Sequence, residues 1–499
     1  MRARLVVLLA LLLLGSVAVP AGAIDALSAV RDETGPVDLL QLDQRVLTSD
    51  NVTYHGTIPI DSPGVGGEVV HRADLDKTFF YATGAKGLSI YDITDPALPI
   101  LVSTFPFWHA QNEDVRTSAD GTLVMISADG SILVPIAPLT VGITLIDVTD
   151  PALPEIVASS NDLVMGRGTN RGIAEHTSEC AVDDCSVIYG RSGRIYTVDF
   201  EAGTITPIER RWNQFLDPTT GTVRETSQIH ALDRDESGLV IADSTPRLVL
   251  DPLGRFEPLS TPENPAVLSI GERPANDDRL QHNNRRPGAL EWTPRNPADP
   301  ADAIETRTVT GRERSLSELE DRPVLREGEL LIGNSESNLN AGCSEAGGLS
   351  TWSMANFDQG AEMQPLEVFR PLKGTYVDGS PLVNALGCSG HWFTIRDGVV
   401  AASWYEHGIH FFDIDMEVGT IDEVGFFQPI ATEAGAAYWV DDSFVYSVDY
   451  ARGIDIVSFD REAAAPSQLE LDNAWLTNLG IVGSVAPNER AWCRLAATG

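Results

Sequence analysis

Hydrophobic and polar residues alternate with a period of two along much of the chain, which is typical of β-strands. The clearest case is GLSIYDITDPALP at residues 87–99, which recurs as GITLIDVTDPALP at residues 142–154. In each copy the alternation runs up to an aspartate, and TDPALP then provides turn residues. A short β-branched stretch follows each turn, PILVSTF in the first copy and PEIVASS in the second. The motif therefore predicts a repeated unit that ends in an antiparallel pair of strands.

The same order of short strands recurs along the chain. The predicted units occupy residues 67–105, residues 112–159, a stretch from 174, a stretch from 228, a stretch from 280 that resumes at 329, residues 390–429 and residues 436–460. The last unit lacks a fourth strand, whereas the strand at residues 51–59 has no strands before it. Four-stranded units of about 40 to 60 residues are typical of β-propellers. We therefore predict an all-β, seven-bladed β-propeller over residues 51–460, closed by the N-terminal strand in the last blade.

The blade count has an alternative of six or eight, because the fifth unit is interrupted by residues 288–328. The first part of this insertion, WTPRNPADPADA, is rich in proline and charge. Such a composition predicts an excursion on the surface rather than further strands of the blade.

The repeated motif resembles the LVIVD repeat, a propeller-forming motif of secreted bacterial and archaeal proteins. The stretches QHNNRRP, GCSGHWF, WYEHGIHFFDI and DYARGIDI also resemble the later blades of full-length members. This resemblance covers most of the chain after the N-terminal segment and implies the propeller fold, whereas it implies an activity only weakly, because a fold hosts many functions. A more distant similarity is to the selenium-binding protein and methanethiol oxidase family, which implies a histidine-rich, metal-associated centre.

The N-terminal residues predict export. Arg2 and Arg4 precede the apolar run LVVLLALLLL, and small residues then end in AGA at residues 21–23. This order is typical of a secretory signal peptide, so residues 1–23 are predicted to be one, with an uncleaved anchor as the alternative. Residues 24–50 and 461–499 are predicted to be tails, and no later run is apolar enough for a membrane helix. We expect a secreted or cell-envelope protein.

The chain is strongly acidic, with 35 Lys and Arg residues against 72 Asp and Glu residues and a formal net charge of -37. Nucleic acids and anionic membrane surfaces are polyanions, so this charge disfavours both as partners. The expected partner is therefore a small molecule, or an extracellular protein or glycan.

Five cysteines are present, and an exported protein can form disulfides. Cys180 and Cys185 flank turn residues, so they are predicted to pair across a hairpin. Cys343 and Cys388 lie in similar Gly-Cys-Ser contexts and are the second predicted pair, which leaves Cys493 over. The sequence does not fix this connectivity. No CxxC motif occurs, so neither a zinc ribbon nor a thioredoxin-type centre is supported.

Polar residues recur where the first strand of each unit begins. Alignment of the units by their following hairpins places these residues in register: Glu68, Asp114, His176, His230, His282, His391 and Tyr438. The first strand of a propeller blade is innermost, so residues at this position are expected to meet at one mouth of the central channel. Imidazole and carboxylate groups on a rigid ring are ligands that a transition metal accepts. We predict a copper, zinc, manganese or iron site formed by the four histidines with Glu68 and Asp114.

Further carboxylates are predicted next to these ligands, where they would accept hydrogen bonds from ligand imidazoles. Glu175 and Glu179 flank His176, while Glu336 and Glu406 end second strands and should rise toward the same face. The alternative for each channel histidine is a structural role, in which it satisfies buried backbone groups and ordered water.

Two functions follow from this pattern. The first is a metal centre at the channel mouth that serves a small-molecule oxidoreductase or hydrolase. The alternative is a non-catalytic propeller that binds a protein or a glycan. Other enzyme classes lack support, because neither a GxSxG elbow nor a Walker loop occurs in the sequence.

Overall fold

The computed structural model describes fourteen stretches of the chain: residues 34–41, 46–59, 64–84, 87–106, 115–129, 142–160, 175–272, 280–310, 319–336, 347–371, 376–377, 380–381, 389–429 and 432–476. Several predictions fall outside them, namely the signal peptide, Asp114 and the pairing of Cys343 with Cys388, as does Cys493. Among the described residues, no helix has both the length and the apolar character that crossing a bilayer requires.

Strands dominate the described chain. Up to residue 159 they are β1 (Gly35–Pro36), β2 (Val46–Thr48), β3 (Val52–Ile58), β4 (Gly64–Arg72), β5 (Lys77–Gly84), β6 (Gly87–Asp92), β7 (Ile100–Pro106), β8 (Val115–Thr117), β9 (Leu123–Ala128), β10 (Gly142–Asp147) and β11 (Glu155–Ser159). Up to residue 271 they are β12 (Ser178–Cys180), β13 (Val187–Gly190), β14 (Arg194–Asp199), β15 (Thr204–Arg211), β16 (Gln214–Leu216), β17 (Val223–Glu225), β18 (Leu232–Arg234), β19 (Val240–Ala242), β20 (Arg247–Asp251) and β21 (Ala266–Gly271).

The remaining strands complete the repeated pattern. They are β22 (Leu280–Arg285), β23 (Thr306–Thr310), β24 (Leu319–Pro323), β25 (Leu330–Glu336), β26 (Leu349–Ser353), β27 (Gln364–Phe369), β28 (Tyr376–Val377), β29 (Ser380–Pro381), β30 (Phe393–Arg396), β31 (Val399–Ser403), β32 (Ile409–Ile414), β33 (Ile421–Pro429), β34 (Ala434–Trp439), β35 (Phe444–Asp449) and β36 (Gly453–Phe459). The described helices are two short 3-10 helices, Pro300–Asp302 and Phe357–Gln359, and α1 (Gln468–Leu476).

The sheets follow the predicted unit of consecutive antiparallel strands. Sheets of four or five strands have the orders β1-β7-β6-β5-β4, β18-β19-β20-β21, β22-β25-β26-β27, β2-β33-β32-β31-β30 and β3-β36-β35-β34. One larger sheet has the order β12-β13-β14-β15-β11-β10-β9-β8. The first strands β4, β8, β12, β18, β22 and β30 contact one another in chain order, and β34 contacts both β30 and β4. The innermost strands therefore close a ring around a central axis, and the fold is an all-β propeller.

The prediction of seven blades is wrong. Five sheets of four or five strands form separate blades, whereas the strands of the second and third predicted units, β8–β11 and β12–β15, are joined in one eight-stranded sheet. The link is a parallel pair between Ser159 and Thr204, at which the Ser159 amide donates to the Gly203 carbonyl at 3.2 Å. A Cβ atom at Gly203 would lie 3.3 Å from the Val157 carbonyl oxygen, and the residue has a φ of +67°. Glycine thus allows the outer strands of two units to approach and pair.

The N-terminal strand lies where the pattern places it. β3 pairs antiparallel with β36, with Val52 opposite Phe459 and Ile58 opposite Ile454. It supplies the fourth strand of the last sheet and covers an edge that could otherwise pair with another chain. β1 and β2, from the stretch predicted to be a tail, each add a fifth strand to a sheet.

The core consists of apolar layers between neighbouring sheets. The layer at the ring junction combines Phe80 and Tyr91 of the first sheet with Tyr438, Tyr446 and Ile456 of the last. All five side chains are buried. Removal of this apolar surface from water holds the two ends of the ring together.

The structure describes most of the insertion in the fifth unit. Its proline-rich first part contains one of the 3-10 helices, and residues 306–323 include the two-stranded hairpin β23–β24. The intervening residues 311–318 lie outside the described part of the chain.

The predicted disulfide between Cys180 and Cys185 is confirmed, with their Cα atoms 4.7 Å apart across the β12–β13 hairpin. We expect the double variant Cys180→Ser, Cys185→Ser to lose about 2 kcal/mol of unfolding free energy, because the bridge closes only a short loop. Urea denaturation measures this difference. Dithiothreitol should lower the unfolding midpoint of the wild type alone, and equal midpoints for wild type and variant without reductant would contradict the expectation.

Candidate metal centre

Four histidines from successive units meet near the central axis. His282 lies on β22, and the other three come just before β12, β18 and β30: His176, His230 and His391. The ring centres of His176 and His230 are 5.0 Å apart, and those of His230 and His282 are 4.1 Å apart. His391 follows at 4.1 Å from His282. All four side chains are buried, with at most 5% exposure.

The backbone of the inner strands places these rings. The His230 amide donates to the Asp243 carbonyl at 2.9 Å, and the His391 amide donates to the Ser403 carbonyl at 3.0 Å. The Thr177 hydroxyl donates to the His230 carbonyl, which links two neighbouring units. These bonds continue the antiparallel hydrogen-bond pattern just before each inner strand. They therefore fix histidines of different units at the same level near the axis.

Glu336 joins two of the histidines. Ligand atoms of His230, His282 and Glu336 all lie within 4.8 Å of one another, and all three residues are buried. Two donors that share one ion stand about 3 to 4 Å apart, because each bond to nitrogen or oxygen is about 2.0–2.2 Å long. Side-chain rotations that move the donors by about 1 Å would therefore close the set around an ion.

The two outer histidines are held through Nδ1. His176 Nδ1 lies 3.1 Å from Asp129 Oδ2. His391 Nδ1 contacts the Gly435 carbonyl oxygen, which can only accept a hydrogen bond. An imidazole that donates from Nδ1 keeps Nε2 as its lone-pair donor, which is the arrangement that metal-binding histidines use. The donor set around the three central groups therefore includes further imidazole nitrogens on either side.

This donor set fits a transition metal. Imidazoles with one carboxylate bind catalytic zinc and non-haem iron, and such sites keep a coordination position open. A divalent cation would offset part of the cost of burying the Glu336 carboxylate.

Glu68 lies in a different layer. The residue as a whole is half-buried, and the charged groups that act on its carboxyl are Arg116, Arg285, Glu179 and Asp233. Desolvation raises the pKa of Glu68 to about 7, although the two arginines lower it. Arg116 pairs with Glu179 at 3.1 Å and with Asp233 at 2.6 Å. We call these five residues the charged layer.

The charged layer lies deeper along the axis than the histidines. Glu179, Asp233 and Arg285 each come three positions after a histidine on the same segment, which corresponds to roughly 10 Å along a strand. Trp392 lies near both levels, with its ring 6.0 Å from that of His282 and 5.0 Å from the Arg116 guanidinium carbon. The structure thus brings the four predicted histidines together and places Glu68 in the charged layer.

The raised pKa of Glu68 gives a testable pH dependence. A carboxyl whose folded pKa, about 7, exceeds its ordinary 4.5 contributes stability that is present below pH 4.5 and lost as the pH rises through 7. The unfolding free energy of Glu68→Gln should therefore rise relative to wild type between pH 5 and pH 8. Urea denaturation at both values checks this, with the exposed Glu257→Gln as the matched control. A difference that does not change with pH would contradict it.

The four carboxylates predicted next to the ligands lie in different places. Glu336 belongs to the candidate site itself. Glu175 instead accepts from the Ser192 amide at 2.8 Å and from the Tyr196 hydroxyl at 2.6 Å, within its own sheet. Glu179 belongs to the charged layer, and Glu406 is buried directly after Tyr405.

Asp129, the carboxylate beside His176, escaped the sequence analysis. It comes directly after β9, the second strand of its unit, just as Glu336 ends the second strand β25. The rule that selected Glu336 and Glu406, an acid at the end of a second strand, also selects Asp129.

Comparisons with known proteins concern the fold alone. No protein-family model and no curated protein matches the chain. Among solved structures, the β-propeller domain of Cps50 (Swd1) from Myceliophteria thermophila shares 10% identity with a TM-score of 0.46, over 82% of this chain and 99% of that one. Raptor from Chaetomium thermophilum shares 11% at a TM-score of 0.45, over 85% of this chain and 30% of that one.

A third similar structure is the periplasmic gluconolactonase PpgL from Pseudomonas aeruginosa. It shares 9% identity at a TM-score of 0.47, over 77% of this chain and 92% of that one. Such low identities and TM-scores carry no argument about activity. The resemblance to LVIVD-repeat and selenium-binding proteins is not shown by these comparisons.

Proposed function

We propose that the protein binds a divalent transition metal ion through His230, His282 and Glu336 and uses it to act on a small molecule at the channel mouth. The observation that carries this proposal is the convergence of their donor atoms within 4.8 Å in a buried site. Two imidazoles and a carboxylate leave a coordination position for water or substrate. A metal in such a site supplies a Lewis acid, an activated water or a redox centre.

The residues around the site would hold it in place. His176 and His391 flank the central histidines, and each is fixed through Nδ1 by an acceptor of the protein. These contacts prevent the rings from turning away from the ion. The reaction class follows from the metal: zinc favours hydrolysis, whereas copper, iron or manganese also permits oxidation.

We further propose that the protein works outside the cytoplasm. The Cys180–Cys185 disulfide supports an oxidising compartment, where such bonds persist. The N-terminal pattern of a signal peptide and the resemblance to secreted LVIVD-repeat proteins support the same location.

Metal analysis tests the proposal. The protein is purified without a histidine tag from its native export compartment, and its metal content is measured by mass spectrometry. We expect about one equivalent of copper, zinc, manganese or iron per chain. A chain that carries no metal and takes up none on titration with these ions would overturn the proposal.

A second candidate function is glycan binding by the insertion. One observation favours it: a cavity of about 500 Å³ lies between β24 and β27, lined by both apolar and polar side chains, and the polar ones include Asp321, Asn356 and Gln364. Sugar hydroxyl groups can both donate to and accept from such side chains. Binding to a glycan array that is lost in Asp321→Ala would support this candidate, and no binding to any glycan would count against it.

A further inference from the structure

Tyr405 has a backbone conformation that is rare for a large side chain, with a φ of 28°. It lies in the turn between β31 and β32, and its side chain is buried. A positive φ at a bulky residue costs energy and persists only where the surroundings fix it, and such residues cluster at functional sites. Tyr405 is therefore a candidate for a functional role.

Tyr405 contacts two residues of the candidate metal centre. The Tyr405 hydroxyl donates to Glu336 Oε1 at 2.7 Å, and its ring centre lies 4.8 Å from that of His391. Its carbonyl accepts from the Ala434 amide at 2.9 Å, at the start of the next sheet. Tyr405 thus connects three consecutive units at the level of the histidines.

We propose that Tyr405 is a positioning residue that restricts Glu336 to binding the metal through one carboxylate oxygen. The phenol engages Oε1, so Oε2 becomes the better donor to the ion. A carboxylate that binds through one oxygen leaves a coordination position open for substrate, whereas a carboxylate that binds through both oxygens fills it. Hydrogen bonds to ligating carboxylates are a common way to fix their geometry.

This inference rests on the proposed function, because it requires an ion at His230, His282 and Glu336. It adds that the open coordination position depends on a phenol that does not itself touch the metal. The strained backbone at Tyr405 would hold the hydroxyl within hydrogen-bond distance of the Glu336 carboxylate.

Cobalt(II) titration of the full-length, metal-free protein tests the inference, with visible absorption as the readout. Wild type should give the intense bands of a four-coordinate site. Tyr405→Phe keeps the ring and the backbone, so we expect a folded protein whose bands weaken as Glu336 becomes bidentate. Its Kd for cobalt should rise about 10-fold, the lower end of the effect of lost ligand-orienting hydrogen bonds.

Tyr189→Phe is the matched control. Tyr189 is also a buried tyrosine, and its hydroxyl donates to the Pro262 carbonyl at 2.7 Å in another part of the ring. This variant loses a comparable hydrogen bond, so a general loss of stability would affect it equally. We expect its cobalt spectrum and Kd to match those of wild type.

The outcomes separate the two proposals. Wild type that binds no cobalt would overturn the metal site and this inference together. Cobalt bound with the same spectrum and Kd by wild type and Tyr405→Phe would overturn the positioning role alone. If Tyr405→Phe does not fold, a fluorotyrosine at position 405 keeps the shape and strengthens the donor, so it should leave the cobalt bands unchanged and lower the Kd for cobalt; an unchanged Kd in that protein would also overturn the role.

Discussion

Replacing His282 with alanine should abolish stoichiometric metal binding, with more than about 100-fold loss of affinity, which exceeds the effect of losing a partner that only orients a ligand. His282 is one of the two inner members of the row of four histidines, and its ring lies 4.1 Å from those of both His230 and His391. It also belongs to the group whose donor atoms converge with Glu336. Competition with a chelator of known affinity measures the loss.

The matched control for this variant is His71→Ala. His71 is exposed on β4, and its Nδ1 lies 3.3 Å from the Thr78 hydroxyl, away from the candidate site. This control should keep the metal affinity of wild type. Circular dichroism must show that His282→Ala is folded, since the substitution also removes a buried ring. Unchanged metal content in a folded His282→Ala would exclude this residue as a ligand.

Replacing Trp475 with alanine should cost about 3–5 kcal/mol of unfolding free energy, the usual range for a buried tryptophan. Trp475 lies on α1, and its ring stacks on that of His410 at a centre distance of 3.6 Å. Its Nε1 lies 3.0 Å from both carboxylate oxygens of Glu423 on β33. Truncation would leave a cavity in the sheet that ends with β33 and remove a donor from a buried carboxylate.

Two variants on α1 separate these effects. Trp475→Phe keeps a ring against His410 and loses the indole N–H, so it should cost about 1–3 kcal/mol. Leu469→Ala, at a position that is 69% exposed, should stay within about 0.5 kcal/mol of wild type. Urea denaturation measures all three. A loss below 1 kcal/mol for Trp475→Ala would show that α1 does not stabilise the propeller.

The strands were predictable because their signal is local. The alternation and the turn residues of the two TDPALP motifs predict β6 and β10 with the hairpins that follow them, and both strands form there. The join between the second and third units was not predictable, because it depends on Gly203, distant in sequence from its neighbour Val157. Contacts between outer strands of different units leave no periodic pattern in the sequence.

The site residues were predictable only where the hairpin turns of the units have the same length, because the units were aligned by these turns. The turn after β4 has four residues, 73–76, whereas the turn after β30 has two, 397–398. Alignment by these turns therefore places Glu68 level with His391, although Glu68 lies farther along its strand. For this reason Glu68, a member of the charged layer, was predicted at the level of the histidines. The histidines themselves were found because the same residue type recurs at the same position in four units.

Anomalous X-ray diffraction at the absorption edge of the bound metal tests the central claim most directly. The account predicts one strong peak within about 2.5 Å of nitrogen atoms of His230 and His282 and an oxygen atom of Glu336. A peak elsewhere in a protein that carries one equivalent of metal, with none between these three residues, would contradict it.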